Sequence, residues 1–277
     1  MSELPLAAAV SGLGVVDPAR AVIAATDEGF TRGRAAFETL RVYSGRPFRL
    51  EEHLARLAGS ADRLGLPEPD PGVLRELVDA ALEAAGTGDV GLRIYWTPGA
   101  PGAGPTAIVL VSPIPGWIED ARARGQQLVS LVFPARSVPW LLPGTKSVSY
   151  ATHVAAEAEA RRRGADDAVL VDVDGTVLEG TVTNIWWREG DTLLTPELEL
   201  GILAGETRAA LLGLAQEEGF ALETGAFPLD RLLAAEEVFT SSSVREVMPV
   251  VAVDGRAFAS RRAAEAMLRA LRRLAAA

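Results

Sequence analysis

The stretch Ser112-Pro113-Ile114-Pro115-Gly116-Trp117 divides the chain. Neither proline offers an amide N–H, and each fixes its own φ, so no regular helix or central strand can run through it. Apolar patterning resumes on both sides. The break therefore reads as an interdomain loop at 113–121, between a smaller domain over 1–112 and a larger one over 122–277. A chain of 277 residues supplies enough core for one or two domains.

Strands and helices alternate in the first half. Leu40 to Tyr43 reads as a strand, and Gly45-Arg46-Pro47 as a turn. Leu50, Leu54, Leu57, Ala61 and Leu64 fall at helical spacing. Asp70 followed by Pro71 predicts an N-cap with proline at the first helical position, and the helix continues through Leu74, Leu77, Val78, Ala81 and Leu82. Leu92 to Trp96 and Ala107 to Val111 read as strands. In the second half a strand from Gln127 to Phe133 precedes the segment Ser137 to Tyr150, and an alanine-rich helix follows, with Gly164 as its C-cap. Asp174-Gly175 and Glu189-Gly190-Asp191 mark two hairpins. Gly205 opens a further helix, and Arg262 begins the last one. The expected class is α/β of the mixed α+β kind, with hairpins in place of regular βαβ units.

Composition removes several kinds of chemistry. Without cysteine there is no disulfide, thiolate metal site or thiol nucleophile, and two histidines, His53 and His153, make a His-rich metal site improbable. No metal is expected. A formal charge of −10 argues against nucleic acid and anionic membrane as partners. The start of the chain lacks a positive n-region and no apolar run reaches ~18 residues, so a cytoplasmic protein is expected.

Of the 27 Lys and Arg residues, one is a lysine, Lys146. Coding drift explains why lysine is rare but not why this one remains. Arginine keeps its proton in proteins, whereas a lysine amine gives it up when buried or placed near other cations. Lys146 is therefore a candidate nucleophilic amine.

Five separated motifs surround it. They are Phe37-Glu38-Thr39-Leu40-Arg41 with Glu52-His53-Leu54-Ala55-Arg56, then Gly144-Thr145-Lys146-Ser147-Val148-Ser149-Tyr150, Glu179-Gly180-Thr181-Val182-Thr183-Asn184, Gly205-Glu206-Thr207-Arg208, and Thr240-Ser241-Ser242-Ser243. In this order they resemble the class-IV (fold type IV) pyridoxal-phosphate enzymes, a family of branched-chain aminotransferases, D-amino acid aminotransferases and aminodeoxychorismate lyases. The resemblance implies a two-domain fold, a pyridoxal 5'-phosphate cofactor between the domains, and a homodimer. It assigns Lys146, reaching in from the larger domain, to the Schiff base and to proton transfer at the substrate Cα. Arg56 would fork onto the phosphate. The N–H groups of Glu206 and Thr207 at a helix start, and the hydroxyls of Ser243 and Ser242, would complete the phosphate cup. Glu179 would keep the pyridine nitrogen protonated, and Tyr150 would approach the phenolic oxygen. Asn184 is expected to brace the local loop. His53 is expected to be packing. Glu206 departs from the Ile usual at its position, and Ser149 from the usual Asn.

Candidate substrate residues are Arg32, Arg34, Phe37, Thr39 and Arg93, with the arginines aimed at a carboxylate. Arg93 is followed two positions on by Tyr95 rather than the His familiar in D-amino acid aminotransferases. Phe37-Glu38-Thr39 leans toward the D-amino acid and lyase branches. The expected reaction moves an amino group between an amino acid, with the D form favoured, and a 2-oxo acid. The alternatives are 4-amino-4-deoxychorismate lyase, releasing pyruvate and 4-aminobenzoate, and a non-catalytic protein that keeps the fold.

Overall fold

In the computed structural model, which describes residues 4–20, 23–86, 88–133 and 142–277, residues up to the proline break build a six-stranded sheet and three helices. The elements are β1 (Ala7–Val10), β2 (Gly14–Val16), α1 (Glu28–Thr31), β3 (Ala36–Tyr43), β4 (Arg46–Pro47), α2 (Leu50–Arg63), α3 (Pro71–Ala85), β5 (Val90–Thr97) and β6 (Thr106–Pro113). The strand order is β2-β1-β6-β5-β3-β4, with every pair antiparallel.

Period-two alternation decides which side chains are available for chemistry. Ala36, Leu40 and Val42 of β3 and Val90, Leu92, Ile94 and Trp96 of β5 join Leu54, Leu57, Leu74 and Val78 of α2 and α3 in one core. Burying each such leucine contributes about 1.5–3 kcal/mol. The intervening residues Phe37, Thr39, Arg93 and Tyr95 therefore stand on the opposite face, where Phe37 pairs with Tyr95 and Thr39 with Arg93. The Asp70 carboxylate accepts hydrogen bonds from the Gly72 and Val73 N–H groups, capping α3.

The second set of elements comprises α4 (Trp117–Arg124), β7 (Gln126–Val132), α5 (Ala151–Arg162), β8 (Asp167–Val171), β9 (Val177–Gly180), β10 (Asn184–Glu189), β11 (Thr192–Pro196), α6 (Glu206–Leu214), β12 (Ala221–Gly225), α7 (Leu229–Ala234), β13 (Glu237–Ser242), β14 (Glu246–Val253), β15 (Arg256–Ala257) and α8 (Arg262–Ala276). Eight strands run in the order β12-β11-β10-β13-β14-β7-β8-β9, with β15 paired to β14. Ile185, Trp187, Val238 and Val250 are fully buried within its core. No residue side chain caps α8 locally; the Glu237 carboxylate accepts from the Ala263 and Ala264 N–H groups instead.

Two features differ from the sequence expectation. Part of the 113–121 loop is helix, since α4 starts at Trp117, one residue after Gly116. The chain also divides differently. One compact unit is Met1–Pro115 with Thr145–Tyr150, and the other is Gly116–Gly144 with Ala151–Ala277. The lysine segment, expected in the C-terminal domain, is thus grouped with the N-terminal unit. The reason is backbone pairing of Ser147 with Ala36 at the start of β3. The expected lead-in to the lysine, Ser137 to Leu141, lies outside the described residues.

Candidate active site

Lys146 is held by its main chain. Its C=O accepts from the Phe37 N–H at 3.1 Å, and the Val148 N–H donates to the Ala35 C=O at 3.0 Å, an antiparallel bridge between Ala36 and Ser147 at the start of β3. The Lys146 N–H donates to the Ser60 Oγ of α2 at 3.2 Å. The approach is close enough to dictate a glycine. Gly33 has φ +68°, and a Cβ there would lie 2.5 Å from the Ser149 Oγ. The amine end of Lys146 turns onto the face of β3 opposite the core, with Nζ 4.4 Å from the Phe37 ring centroid. Tyr95 stacks on Phe37 at 6.0 Å, and Tyr150 meets it edge-on at 5.5 Å. An aromatic face attracts the ammonium form of the amine.

Glu38 points the other way, toward α2. It is completely buried. Its Oε1 accepts from the Arg56 Nε at 2.7 Å and its Oε2 from the Arg56 Nη2 at 2.6 Å, while the His53 Nδ1 lies 2.7 Å from Oε2. Burial alone would raise the Glu38 pKa. The hydrogen bonds from Arg56 and His53 outweigh it and bring the value down to about 2. This pairing was not part of the sequence reading, which took His53 as packing and left Glu38 without a task.

The substrate-side arginines separate. Arg34 donates from Nε to the Leu64 C=O, from Nη2 to the Gly65 C=O and from Nη1 to Glu28, so its whole fork ties α1 to the end of α2. Arg32 is the exposed C-cap of α1. Arg93 is exposed on the same sheet face as Phe37, opposite Thr39.

The remaining expected residues lie in the second unit. Both Glu179 oxygens are 3.2 Å from the Leu203 N–H, and Oε2 is 3.3 Å from the Asn184 Nδ2. The same Asn184 nitrogen donates to the Leu203 C=O at 3.0 Å, so Asn184 fastens the Glu179 strand to the approach to α6. Burial pulls the Arg208 pKa down, opposed by the charges of Glu179 and Glu199. Arg208 is therefore a neighbour of Glu179 that sequence reading did not single out. Glu206 and Thr207 occupy the first turn of α6, which begins at Gly205 without a side-chain cap. Ser242 ends β13 and Ser243 follows it, both partly buried, whereas the Ser241 hydroxyl already accepts from the Trp186 Nε1.

Gly205 cannot carry a side chain without disturbance, because a Cβ would fall 2.0 Å from the Asn184 Oδ1. Gly205→Ala is expected to destabilise the protein by about 1–3 kcal/mol through overpacking and to loosen the Asn184 brace on Glu179. Denaturant unfolding of the two proteins side by side measures it; equal midpoints would contradict the prediction.

The class IV amino-transferase family model matches residues 35–253, and the chain belongs to that family. Among its relatives is the bifunctional aminodeoxychorismate lyase / D-amino acid transaminase of Mycobacterium tuberculosis, 36% identical over 87% of this chain and 89% of that protein. A fold IV transaminase of Curtobacterium pusillum superposes with a TM-score of 0.86 at 38% identity, covering 92% of this chain and 91% of that one. A hypothetical aminotransferase of M. tuberculosis in its pyridoxal-phosphate-bound form gives a TM-score of 0.89 at 32% identity, covering 96% and 97%. The protein is thus an enzyme of fold type IV, and pyridoxal 5'-phosphate is its cofactor. Within each unit, residues expected at that cofactor have chemistry that suits it. In the first, the Arg56 guanidinium is oriented by the buried Glu38 carboxylate. In the second, α6 starts without a side-chain cap and the Glu179 carboxylate is oriented by the Leu203 N–H.

Proposed function

We propose that this aminotransferase moves an amino group between a D-amino acid and a 2-oxo acid, with Lys146 as its catalytic amine. The observation that carries the reading is the Lys146 Nζ lying against Phe37 on the sheet face that also presents Thr39 and Arg93. When bound, pyridoxal phosphate supplies an aldehyde that condenses with amines and a ring that accepts the electron pair left at Cα. Lys146 Nζ takes the proton from the substrate Cα and returns one later in the cycle. Glu179 would hold the ring nitrogen in its protonated form, and Tyr150 would stand near the phenolic oxygen. Arg56, the N–H groups of Glu206 and Thr207, and the hydroxyls of Ser242 and Ser243 would hold the phosphate. Arg93 would take the substrate carboxylate, with Arg32 as the second choice, because the Arg34 fork is committed within its own unit. A cytoplasmic homodimer completes the proposal.

The M. tuberculosis relative whose name couples lyase and transaminase activities supports a second reading, 4-amino-4-deoxychorismate lyase. The two share proton removal by Lys146 and differ in whether the substrate carries a leaving group. Holoenzyme given D-alanine and 2-oxoglutarate should form pyruvate and glutamate, while L-alanine should leave the cofactor spectrum unchanged. Pyruvate released from aminodeoxychorismate at a faster rate would replace transamination with the lyase reading, and a response to L-alanine alone would reject the D preference.

A further inference from the structure

We infer that Glu38 is a positioning residue for the cofactor phosphate, acting through Arg56, with His53 as the second arm of the same clamp. The inference rests on the phosphate role proposed for Arg56. A long arginine side chain loses rotamer freedom when it grips an anion, and prior orientation removes that cost. Here the orientation is already made. Glu38 spans the Nε and Nη2 of Arg56, which fixes the guanidinium plane and directs the remaining nitrogen, Nη1, away from the carboxylate. His53, itself 1% exposed, bonds the carboxylate oxygen that holds Nη2 and so fixes Glu38 in turn. The sequence spacing fits this reading. His53 and Arg56 are three apart on α2, hence on one helical face, and Glu38 is the one charged residue among the β3 positions that alternate toward that helix.

The clamp also shares its supports with the lysine. Ser60, one turn beyond Arg56 on α2, accepts from the Lys146 N–H, and Phe37, next to Glu38 on β3, donates to the Lys146 C=O. The phosphate grip and the amine are thus registered against the same strand and the same helix. A carboxylate that paired with Arg56 only for fold stability would have no bearing on which end of the cofactor is held.

The test compares pyridoxal 5'-phosphate with pyridoxal, which lacks the phosphate, on full-length apoenzyme reloaded and followed by absorbance and tryptophan fluorescence. Wild type should prefer the phosphorylated form. Arg56→Ala should erase most of that preference. E38Q leaves a donor facing the guanidinium and should cut it by about tenfold, as expected for one hydrogen bond to a charged group, with pyridoxal affinity nearly unchanged. In the Arg56→Ala background the same Glu38 change should have no further effect. Should E38Q not fold, as judged by circular dichroism, H53Q replaces it and should lower the preference by a smaller factor. An unaltered preference in the Glu38 or His53 variant, with Arg56→Ala still defective, overturns the clamp. An unaltered preference in Arg56→Ala overturns the phosphate role beneath it.

Discussion

Lys146→Ala is expected to abolish turnover, with a rate loss on the order of 10⁴-fold or more, at the upper end of what one positioned acid–base group contributes. The prediction is unusually clean in this chain. No second lysine exists to take over, because the other 26 of the 27 Lys and Arg residues are arginines that keep their protons at working pH. Lys146→Arg should therefore be as inactive as the alanine variant, although it preserves the charge. The covalent half of the claim has its own readout. Borohydride reduction of the holoenzyme followed by peptide mass spectrometry should place the cofactor mass on the peptide containing Lys146. Single-turnover measurements with amino acid then give the rate. Activity of the alanine variant within tenfold of wild type would sink the assignment.

Glu179→Gln is the second large effect. Exchanging the carboxylate for an amide would remove the charge proposed to stabilise a protonated ring nitrogen, and the loss of one such oriented electrostatic group costs about 10²–10³ in kcat. A local consequence adds to it. The Glu179 oxygens accept from the Leu203 N–H and from the Asn184 Nδ2, so an amide nitrogen among them would face donors and tend to rotate the group. The groups proposed to hold the phosphate belong to other residues, so cofactor affinity should change by no more than a few-fold. Stopped-flow half-reactions separate the two quantities. A variant with unchanged rate constants would exclude Glu179 from the ring nitrogen; one with normal chemistry but poor cofactor retention would move it to an anchoring role.

Much of this was readable from residues near one another in sequence. Asp70 before Pro71 predicts the α3 cap because the carboxylate reaches the Gly72 and Val73 N–H groups of its own first turn. The Asp174-Gly175 and Gly190 turns predict their hairpins for a similarly local reason. The lysine stood out by count alone. What escaped depends on elements that meet only after packing. Glu38 lies on a strand of period two and His53 and Arg56 on a helix of period 3.6, and neither pattern announces that they converge. Arg34 looked free to bind a carboxylate, but besides Glu28 its partners are backbone carbonyls at Leu64 and Gly65, which every residue carries and no sequence pattern marks. The helix α4 escaped because Pro113, Pro115 and Gly116 suggested a longer irregular stretch than the three residues, Ile114 to Gly116, that separate it from β6. The grouping of Lys146 with the first unit escaped because the bridge from Ala36 to Ser147 joins segments far apart along the chain.

That bridge has a consequence for synthesis. A ribosome that has delivered the chain through Pro115 has released all six strands of the first sheet. Lys146 and its short flanking strip emerge only later, after the next strand, β7, has been made. Until translation passes Tyr150, the Phe37 N–H and Ala35 C=O cannot meet the main-chain partners they have in the folded protein. Vectorial folding thus completes the N-terminal unit only once the Lys146 segment has been built in.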